Sequence, residues 1–176
     1  MRYVDPTAAQ RCGGVQLRRM SPTEFERWSS ASLDTYAGDL VRAGGGTHDE
    51  VRQRARDLFA ELMPEGLDTP GTWLMRVLEE GVDVGVLWLG PDPQRPGVVH
   101  VFEITIDAEH RGRGVGRAAM LAAEDVVREA GLAEVSLNVF GFNDVARRLY
   151  DSLGYRVVST AMTKTLGAPR KSASSP

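Results

Sequence analysis

The amino-acid sequence predicts one α/β (α+β) domain built on a mixed central sheet, with elements in the order β-α-α-β-β-β-α-β-α-β. Its 176 residues fall within the ~100–200 residues of a single domain. Segments whose apolar residues alternate, as in strands, are interleaved with segments whose apolar residues recur at helical spacing. Both ends are polar and rich in small residues. We therefore expect a flexible N-terminal extension at 1–14, the domain at 15–166 and a flexible tail at 167–176.

The first strand and the two helices after it are predicted from local signals. Residues 15–20 alternate between apolar and polar side chains, which is typical of a half-buried strand. Ser21 and Glu24 form a capping box, which starts a helix that runs towards Leu40. Residues 47–50 repeat this pattern and start a second, amphipathic helix that ends at Pro64.

The rest of the domain is predicted as a three-stranded meander followed by alternating helices and strands. These elements are expected at 73–78, 82–89, 98–106, 115–130, 134–140, 143–153 and 155–165. The strand at 98–106 is mostly apolar on both faces, which is typical of a central strand covered on both sides. Asn143 caps the last helix and Gly154 ends it.

Composition excludes several classes of protein. The chain carries 21 Lys and Arg against 24 Asp and Glu, a net charge of −3, so it lacks the basic excess of a general nucleic-acid binder. A single cysteine cannot form an internal disulfide, and the three histidines show no metal-ligand spacing. No apolar run reaches the ~18–20 residues of a membrane span, and the start lacks the apolar centre of a signal peptide. We expect a cytoplasmic protein that binds neither nucleic acid, membrane nor metal.

The segment most informative about chemistry is a glycine-rich turn between a strand and a helix, residues 111–117, with the sequence Arg-Gly-Arg-Gly-Val-Gly-Arg. Glycines let the backbone approach a ligand, and unpaired N–H groups at a helix start attract anions. The turn lacks the Gly-Lys-Ser/Thr ending of a nucleotide-triphosphatase loop and the spacing of a dinucleotide fingerprint. By itself it predicts either a diphosphate site or a tight connection with solvated arginines.

Three motifs in order make the chain resemble the GNAT superfamily of N-acetyltransferases. Arg111-x-x-Gly114-x-Gly116 is similar to the family's acyl-CoA signature. Upstream, Glu103 to Asp107 resembles the strand that pairs with pantetheine, and downstream Asn143-x-x-Ala146-x-x-Leu149-Tyr150-x-x-x-Gly154-Tyr155 is similar to the family's second motif. The resemblance covers residues 98–165 most firmly, and it implies a single GNAT domain whose sheet is splayed at the cofactor site.

The resemblance also implies acetyl-CoA as co-substrate and no metal. The diphosphate would be held by the N–H groups of the turn, and pantetheine by the main chain of Ile104 and Ile106, as an added strand is held. An N–H near Ile106 would stabilise the oxyanion. The cofactor contacts implied in this way are Ile104, Thr105, Ile106, Arg111, Gly112, Arg113, Gly114, Val115, Gly116, Arg117, Asn138, Asn143 and Tyr150.

Tyr150 and Glu103 are the residues to which the resemblance gives a part in the reaction. A phenol near the sulfur would supply a proton to the departing thiolate, although Tyr150 also fits the apolar face of its helix. Glu103 is a carboxylate in an apolar strand, expected on the face of Val101 and opposite Phe102. It would take a proton from the acceptor ammonium, or else only bind the amine or pair with an arginine. Asn138 stands where some relatives carry a glutamate, and it cannot accept a proton.

The sequence therefore predicts an N-acetyltransferase that transfers an acetyl group from acetyl-CoA to a primary amine by direct attack in a ternary complex. The alternative is a CoA-binding sensor or structural module with the same fold and little catalysis. The acceptor is expected to be a small-molecule amine or a protein amine. The resemblance implies that the early helices lie on the acceptor side, so its contacts are expected within the region 28–62. A homodimer is compatible with the sequence.

Overall fold

The computed structural model describes residues 10–44 and 46–164, which form six strands, four α-helices and two short 3-10 turns. In chain order the main elements are β1 Gln10–Cys12, β2 Val15–Arg19, α1 Pro22–Arg42, α2 His48–Leu62, β3 Trp73–Glu79, β4 Val82–Pro91, β5 Val99–Ile106, α3 Val115–Glu129, β6 Val135–Leu137 and α4 Asp144–Ser152. The strands follow chain order in one sheet. All neighbours are antiparallel except β5 and β6, which are parallel. The predicted mixed α/β class is confirmed.

The two ends of the predicted element order are wrong. Residues 10–12, which were expected in a flexible extension, form β1 and pair with β2 across a turn at Gly13 and Gly14. At the other end, residues 155–164 form no strand, although their side chains alternate. The expected extension at 1–9 and the tail at 167–176 lie outside the described residues.

The predicted helix starts are confirmed. The N–H of Glu24 donates to Ser21 Oγ at 3.4 Å, and the Glu24 carboxylate accepts from the Ser21 N–H at 2.7 Å. These reciprocal bonds satisfy donors that the first turn of α1 would otherwise leave unpaired. At α2 the Glu50 carboxylate accepts from the Thr47 N–H at 3.1 Å.

Helices cover both faces of the sheet. The small side chains of α3 let this helix lie close to the strands, and Ala119, Ala122 and Ala123 are at most 1% exposed. Helix α4 packs on the same face, which holds the larger of the two core clusters. Helices α1 and α2 cover the opposite face through an aromatic cluster that includes Trp28, Phe59 and Trp88. No helix in the described part of the chain is long and apolar enough to cross a membrane.

Candidate active site

The sheet is open along half of β5. Strand β6 pairs with β5 only at Val99, His100 and Val101. From Phe102 to Ile106, β5 has no neighbouring strand on that side among residues 10–44 and 46–164. The two parallel strands therefore separate in the middle of the sheet, and the second half of β5 presents a free backbone edge, as the predicted splay requires.

A β-bulge decides which backbone groups lie on this free edge. Trp88 of β4 pairs with Glu103, and the next residue, Leu89, pairs with Val101, so Phe102 has no partner. An extra residue of this kind reverses the side to which the following N–H and C=O groups point. The alternation of β5 is therefore different before and after Phe102.

Two backbone hydrogen bonds at the ends of β5 confirm that its N–H groups change sides at the bulge. The N–H of Val99 donates towards β6, to the carbonyl of Glu134 at 3.0 Å, whereas the N–H of Asp107 donates towards β4, to the carbonyl of Val84 at 2.9 Å. With a period of two residues, Ile104 and Ile106 must then direct their backbone groups to the open side. The carbonyl of Ile106 points away from β4 and accepts from Arg111 Nε at 2.7 Å. Because the N–H and C=O of a strand residue point to the same side, the Ile106 N–H also faces the gap.

The bulge also places the Glu103 side chain on the helix α1 face, together with Phe102. The expected placement of Glu103 opposite Phe102 is therefore wrong, because regular alternation fails at a bulge. The Glu103 carboxylate accepts from Trp28 Nε1 at 3.1 Å, from Ser32 Oγ and from Thr105 Oγ1 at 3.1 Å. Over the described ranges it forms no ion pair with an arginine, so the arginine-pairing alternative is wrong there.

The glycine-rich turn is shaped as an anion cradle. Gly112 and Gly114 have φ values of 73° and 88°, which side-chain-bearing residues rarely adopt, and no atom lies within 4 Å of a Cβ built on either. Gly114 caps α3 without a side-chain hydrogen bond. Among the described residues, the N–H groups from Gly112 to Arg117 have no acceptor. These donors and the positive end of the helix dipole face outward.

The arginines of the turn contact the protein. Besides the bond from Arg111 to β5, Arg117 donates to Ser152 Oγ at 2.7 Å, and Arg113 lies 3.4 Å from the Glu79 carboxylate. Their side chains therefore brace the turn against α4 and β3. A cavity of about 280 Å³ lies beside Arg113 and the first turn of α3, but neither Glu103 nor Tyr150 lines it.

Tyr150 combines a buried ring with a free hydroxyl. The residue is 9% exposed and belongs to the core between α4 and the sheet, so the apolar-face interpretation holds for the ring. Its hydroxyl forms no hydrogen bond with any described residue. Burial raises the pKa of the phenol above its ordinary value, so Tyr150 is protonated at neutral pH and available as a donor.

Contacts around Gly116 show that the turn, β5 and α4 meet. A Cβ on Gly116 would lie 3.6 Å from Leu149 and 3.8 Å from Ile106, so the helix that carries Tyr150 approaches the end of β5 at the start of α3. Asn143 is exposed and accepts from the Ala146 N–H at 3.1 Å, as predicted for a helix cap. Asn138 is exposed just beyond β6.

Sequence reasoning missed the contacts from α1 to Glu103. Trp28 and Ser32 fall only within the range 28–62 in which acceptor contacts are expected, and neither is predicted to bond Glu103. Their spacing of four residues places them on one helix face, but no local signal pairs that face with β5, more than 70 residues away. No cluster of three or more His, Cys, Asp or Glu that could hold a metal ion occurs within the described ranges.

Known proteins provide an independent comparison. The uncharacterized N-acetyltransferase YycN of Bacillus subtilis strain 168 is 28% identical over 155 residues, which are 86% of this chain and 99% of that protein. Its crystal structure superposes with a TM-score of 0.80 at 29% identity, covering 86% of this chain and 98% of YycN. The N-acetyltransferase PaiA from Thermoplasma acidophilum, in complex with coenzyme A, shares the fold with a TM-score of 0.59 at 15% identity, over 84% and 92% of the two chains.

A mycothiol acetyltransferase from Thermobispora bispora is 31% identical over 147 residues, which are 81% of this chain and 46% of that protein. The sequence profile of the acetyltransferase (GNAT) family matches residues 27–155, from α1 to the end of α4. Since this match spans most of the chain and includes the open edge of β5, the glycine turn and Tyr150, the chain belongs to the GNAT acetyltransferase family.

Proposed function

We propose that this chain transfers an acetyl group from acetyl-CoA to a primary amine by direct attack in a ternary complex. Acyl transfer is the activity of the family to which it belongs. The observation that carries the proposal is the run of N–H groups from Gly112 to Arg117, which have no acceptor among the described residues, beside the edge of β5 at Ile104 and Ile106 that no described strand covers.

The residues at this place fit coenzyme A. A diphosphate is an anion, and the outward N–H groups at the start of α3 are donors with the helix dipole behind them. The amides of pantetheine would pair with the backbone of Ile104 and Ile106 as an extra strand does. The other residues proposed to contact the cofactor, Val115 through its N–H group, are Thr105, Arg111, Arg113, Val115, Arg117, Asn138, Asn143 and Tyr150.

When bound, acetyl-CoA supplies the acetyl group as an activated thioester. The N–H of Ile106 faces the gap and would donate to the acetyl carbonyl oxygen, where negative charge develops. Tyr150 would give its proton to the departing sulfur, since its hydroxyl has no described partner and its raised pKa keeps the proton in place. The remaining help is proximity, because the site holds both reactants together.

Glu103 would take the proton from the acceptor ammonium. Its carboxylate bonds three uncharged donors and forms no ion pair over the described ranges, so its negative charge is available to a cationic acceptor. The aromatic rings of Trp28, Phe59 and Trp88 lie on the same face. Trp28 and Trp88 are buried there in the second core cluster.

The proposal is tested by following free thiol while acetyl-CoA is mixed with a panel of primary amines. The panel comprises an aminoglycoside, a polyamine, an amino acid and a peptide with a free N-terminus. Amine-dependent thiol release with intersecting initial-rate lines supports direct transfer, whereas parallel lines indicate an acetyl-enzyme and contradict it. CoA binding by calorimetry without thiol release from any amine favours the sensor alternative.

A further inference from the structure

We propose that Ser32 and Trp28 of α1 are positioning residues that fix the Glu103 carboxylate so that one oxygen, Oε1, receives the proton of the acceptor amine. This inference rests on the proposed function. It assigns to α1 a part in the reaction through hydrogen bonds to Glu103, in addition to its packing on the sheet.

The three hydrogen bonds to Glu103 are divided unequally between its oxygens. Trp28 Nε1 and Ser32 Oγ both donate to Oε2, and Thr105 Oγ1 donates to Oε1. A carboxylate oxygen accepts about two hydrogen bonds. Oε2 is therefore saturated by α1, and Oε1 keeps one acceptor position for a substrate.

The donors to Oε2 are held rigidly by the core. Trp28 and Ser32 are each 7% exposed. The Trp28 ring stacks on Phe59 at 5.9 Å and meets the edge of Trp88 at 5.5 Å. Thr105, by contrast, is exposed. The buried pair thus fixes the direction of Oε2, and Oε1 lies on the side of Thr105, towards the open half of β5.

The unequal distribution of these hydrogen bonds also determines which oxygen of Glu103 accepts the proton of the acceptor ammonium. An indole N–H only donates, so Oε2 faces two donors and is a poor place for a further proton. In the proposed step an N–H bond of the acceptor ammonium breaks and the proton moves to Oε1. The electron pair stays on nitrogen, which becomes the nucleophile, and Glu103 becomes neutral without losing its bonds to α1.

The test compares two serines of the same helix. Ser32→Ala removes a donor to Oε2, whereas Ser29→Ala removes a hydroxyl that bonds only to the carbonyl of Glu26 within α1. We expect Ser32→Ala to lower kcat about tenfold, the usual size for a lost hydrogen bond to a charged group, with KM for acetyl-CoA unchanged. Ser32→Thr keeps a hydroxyl and should restore kcat. Ser29→Ala should behave as the wild type.

A double-mutant cycle separates positioning from folding. If Ser32 acts through Glu103, Ser32→Ala should change kcat less than twofold when Glu103→Gln is already present. An equal loss in both backgrounds, or an equal loss in Ser29→Ala, would overturn the proposal.

A second readout does not depend on acetyl transfer. The chain has three tryptophans, so its NMR spectrum has three indole N–H peaks, and Trp28→Phe identifies the relevant one. Titration with a primary alkylammonium should shift the Trp28 peak in the wild type and not in Glu103→Gln. If the Trp28 peak does not shift when the alkylammonium is added, the positioning role of Trp28 and Ser32 is refuted. If the Trp28 peak shifts but no amine releases free thiol from acetyl-CoA, only the proposed acetyl transfer is refuted.

Discussion

The glycine turn makes a prediction in which strain and ligand binding can be separated. Gly114→Ala introduces a side chain at φ 88°, and Gly97→Ala does the same at φ 85°, with no atom within 4 Å of the new Cβ at either site. Gly97 lies before β5 and Gly114 lies after it, at the start of α3. The two substitutions are matched in strain and differ in their distance from the proposed diphosphate site.

The size of each effect follows from the backbone. Holding a non-glycine residue in the left-handed region costs roughly 1–2 kcal/mol. For a domain of this length that lowers the melting temperature by about 2–8 °C. At Gly114 the added Cβ would also stand beside the N–H groups proposed to hold the diphosphate and displace one of their hydrogen bonds. Losing one charge-assisted hydrogen bond, at about 1.5–3 kcal/mol, weakens CoA binding about ten- to a hundredfold.

Thermal unfolding and calorimetric titration with CoA measure the two effects. Both variants should lose similar stability, and only Gly114→Ala should bind CoA more weakly. If the two variants bind CoA equally well, the N–H groups of the turn do not hold the diphosphate.

Three further predictions address the acid, an ion pair and the contact of β4 with β5. Tyr150→Phe should lower kcat at least tenfold with the Kd for CoA unchanged, and unchanged turnover would exclude Tyr150 as the acid. Because burial raises the pKa of the phenol, deprotonation of Tyr150 should not lower the wild-type kcat between about pH 8 and 10. The hydrogen bond from Arg18 lowers the pKa of Glu24 from 4.5 to about 2. The ionised carboxylate therefore stabilises the folded state above pH 4.5, and this contribution to the free energy of unfolding is lost as the pH falls through about 2. Glu24→Gln should therefore cost about 1 kcal/mol in urea unfolding at pH 7 and clearly less at pH 2, where Glu24 is half protonated in the folded state, and a constant difference would exclude the ion pair as its cause. Gly85→Ala would place a Cβ 2.2 Å from the backbone carbonyl of Thr105, whereas the Cβ of Gly90→Ala would lie 3.1 Å from the Phe102 ring, which can shift. In urea unfolding, Gly85→Ala should lower the free energy of unfolding by about 3 kcal/mol or more, and Gly90→Ala by clearly less. Equal losses would show that the backbone of β4 moves to accommodate the new side chain.

Much of the fold was predictable because its signals are local. The capping residues Ser21 and Asn143 and the stop at Gly154, with φ 90°, act within a few positions of the chain. The same holds for the glycine turn, whose shape depends on its own residues. Strand β1 has such a signal too, since Gly-Gly at 13–14 is typical of a hairpin turn, although the polar composition of 1–14 is typical of a flexible end.

The missed features depend on contacts between distant segments. The bulge at Phe102 is a property of the register between β4 and β5, and regular alternation along β5 gives no sign of it. Glu103 consequently lies on the opposite face from the one expected, where it meets Trp28. The alternating side chains at 155–165 indicate only that this segment favours an extended backbone. A strand also needs a neighbour with which to pair, and β6 is only three residues long.

Helix α1 contacts both β5 and the segment that follows β6. Near its start Trp28 is bonded to Glu103, and at its end the guanidinium of Arg42 lies 4.2 Å from the ring centre of Phe142, in the segment between β6 and α4. A helix of this length is about 30 Å long and moves as a rigid rod. A substitution that tilts α1 to admit a bulkier acceptor would thus also move the carboxylate that is proposed to accept the proton. If the proposed role of Glu103 holds, acceptor range and catalytic rate are coupled in this chain, and a change in one requires compensating substitutions for the other.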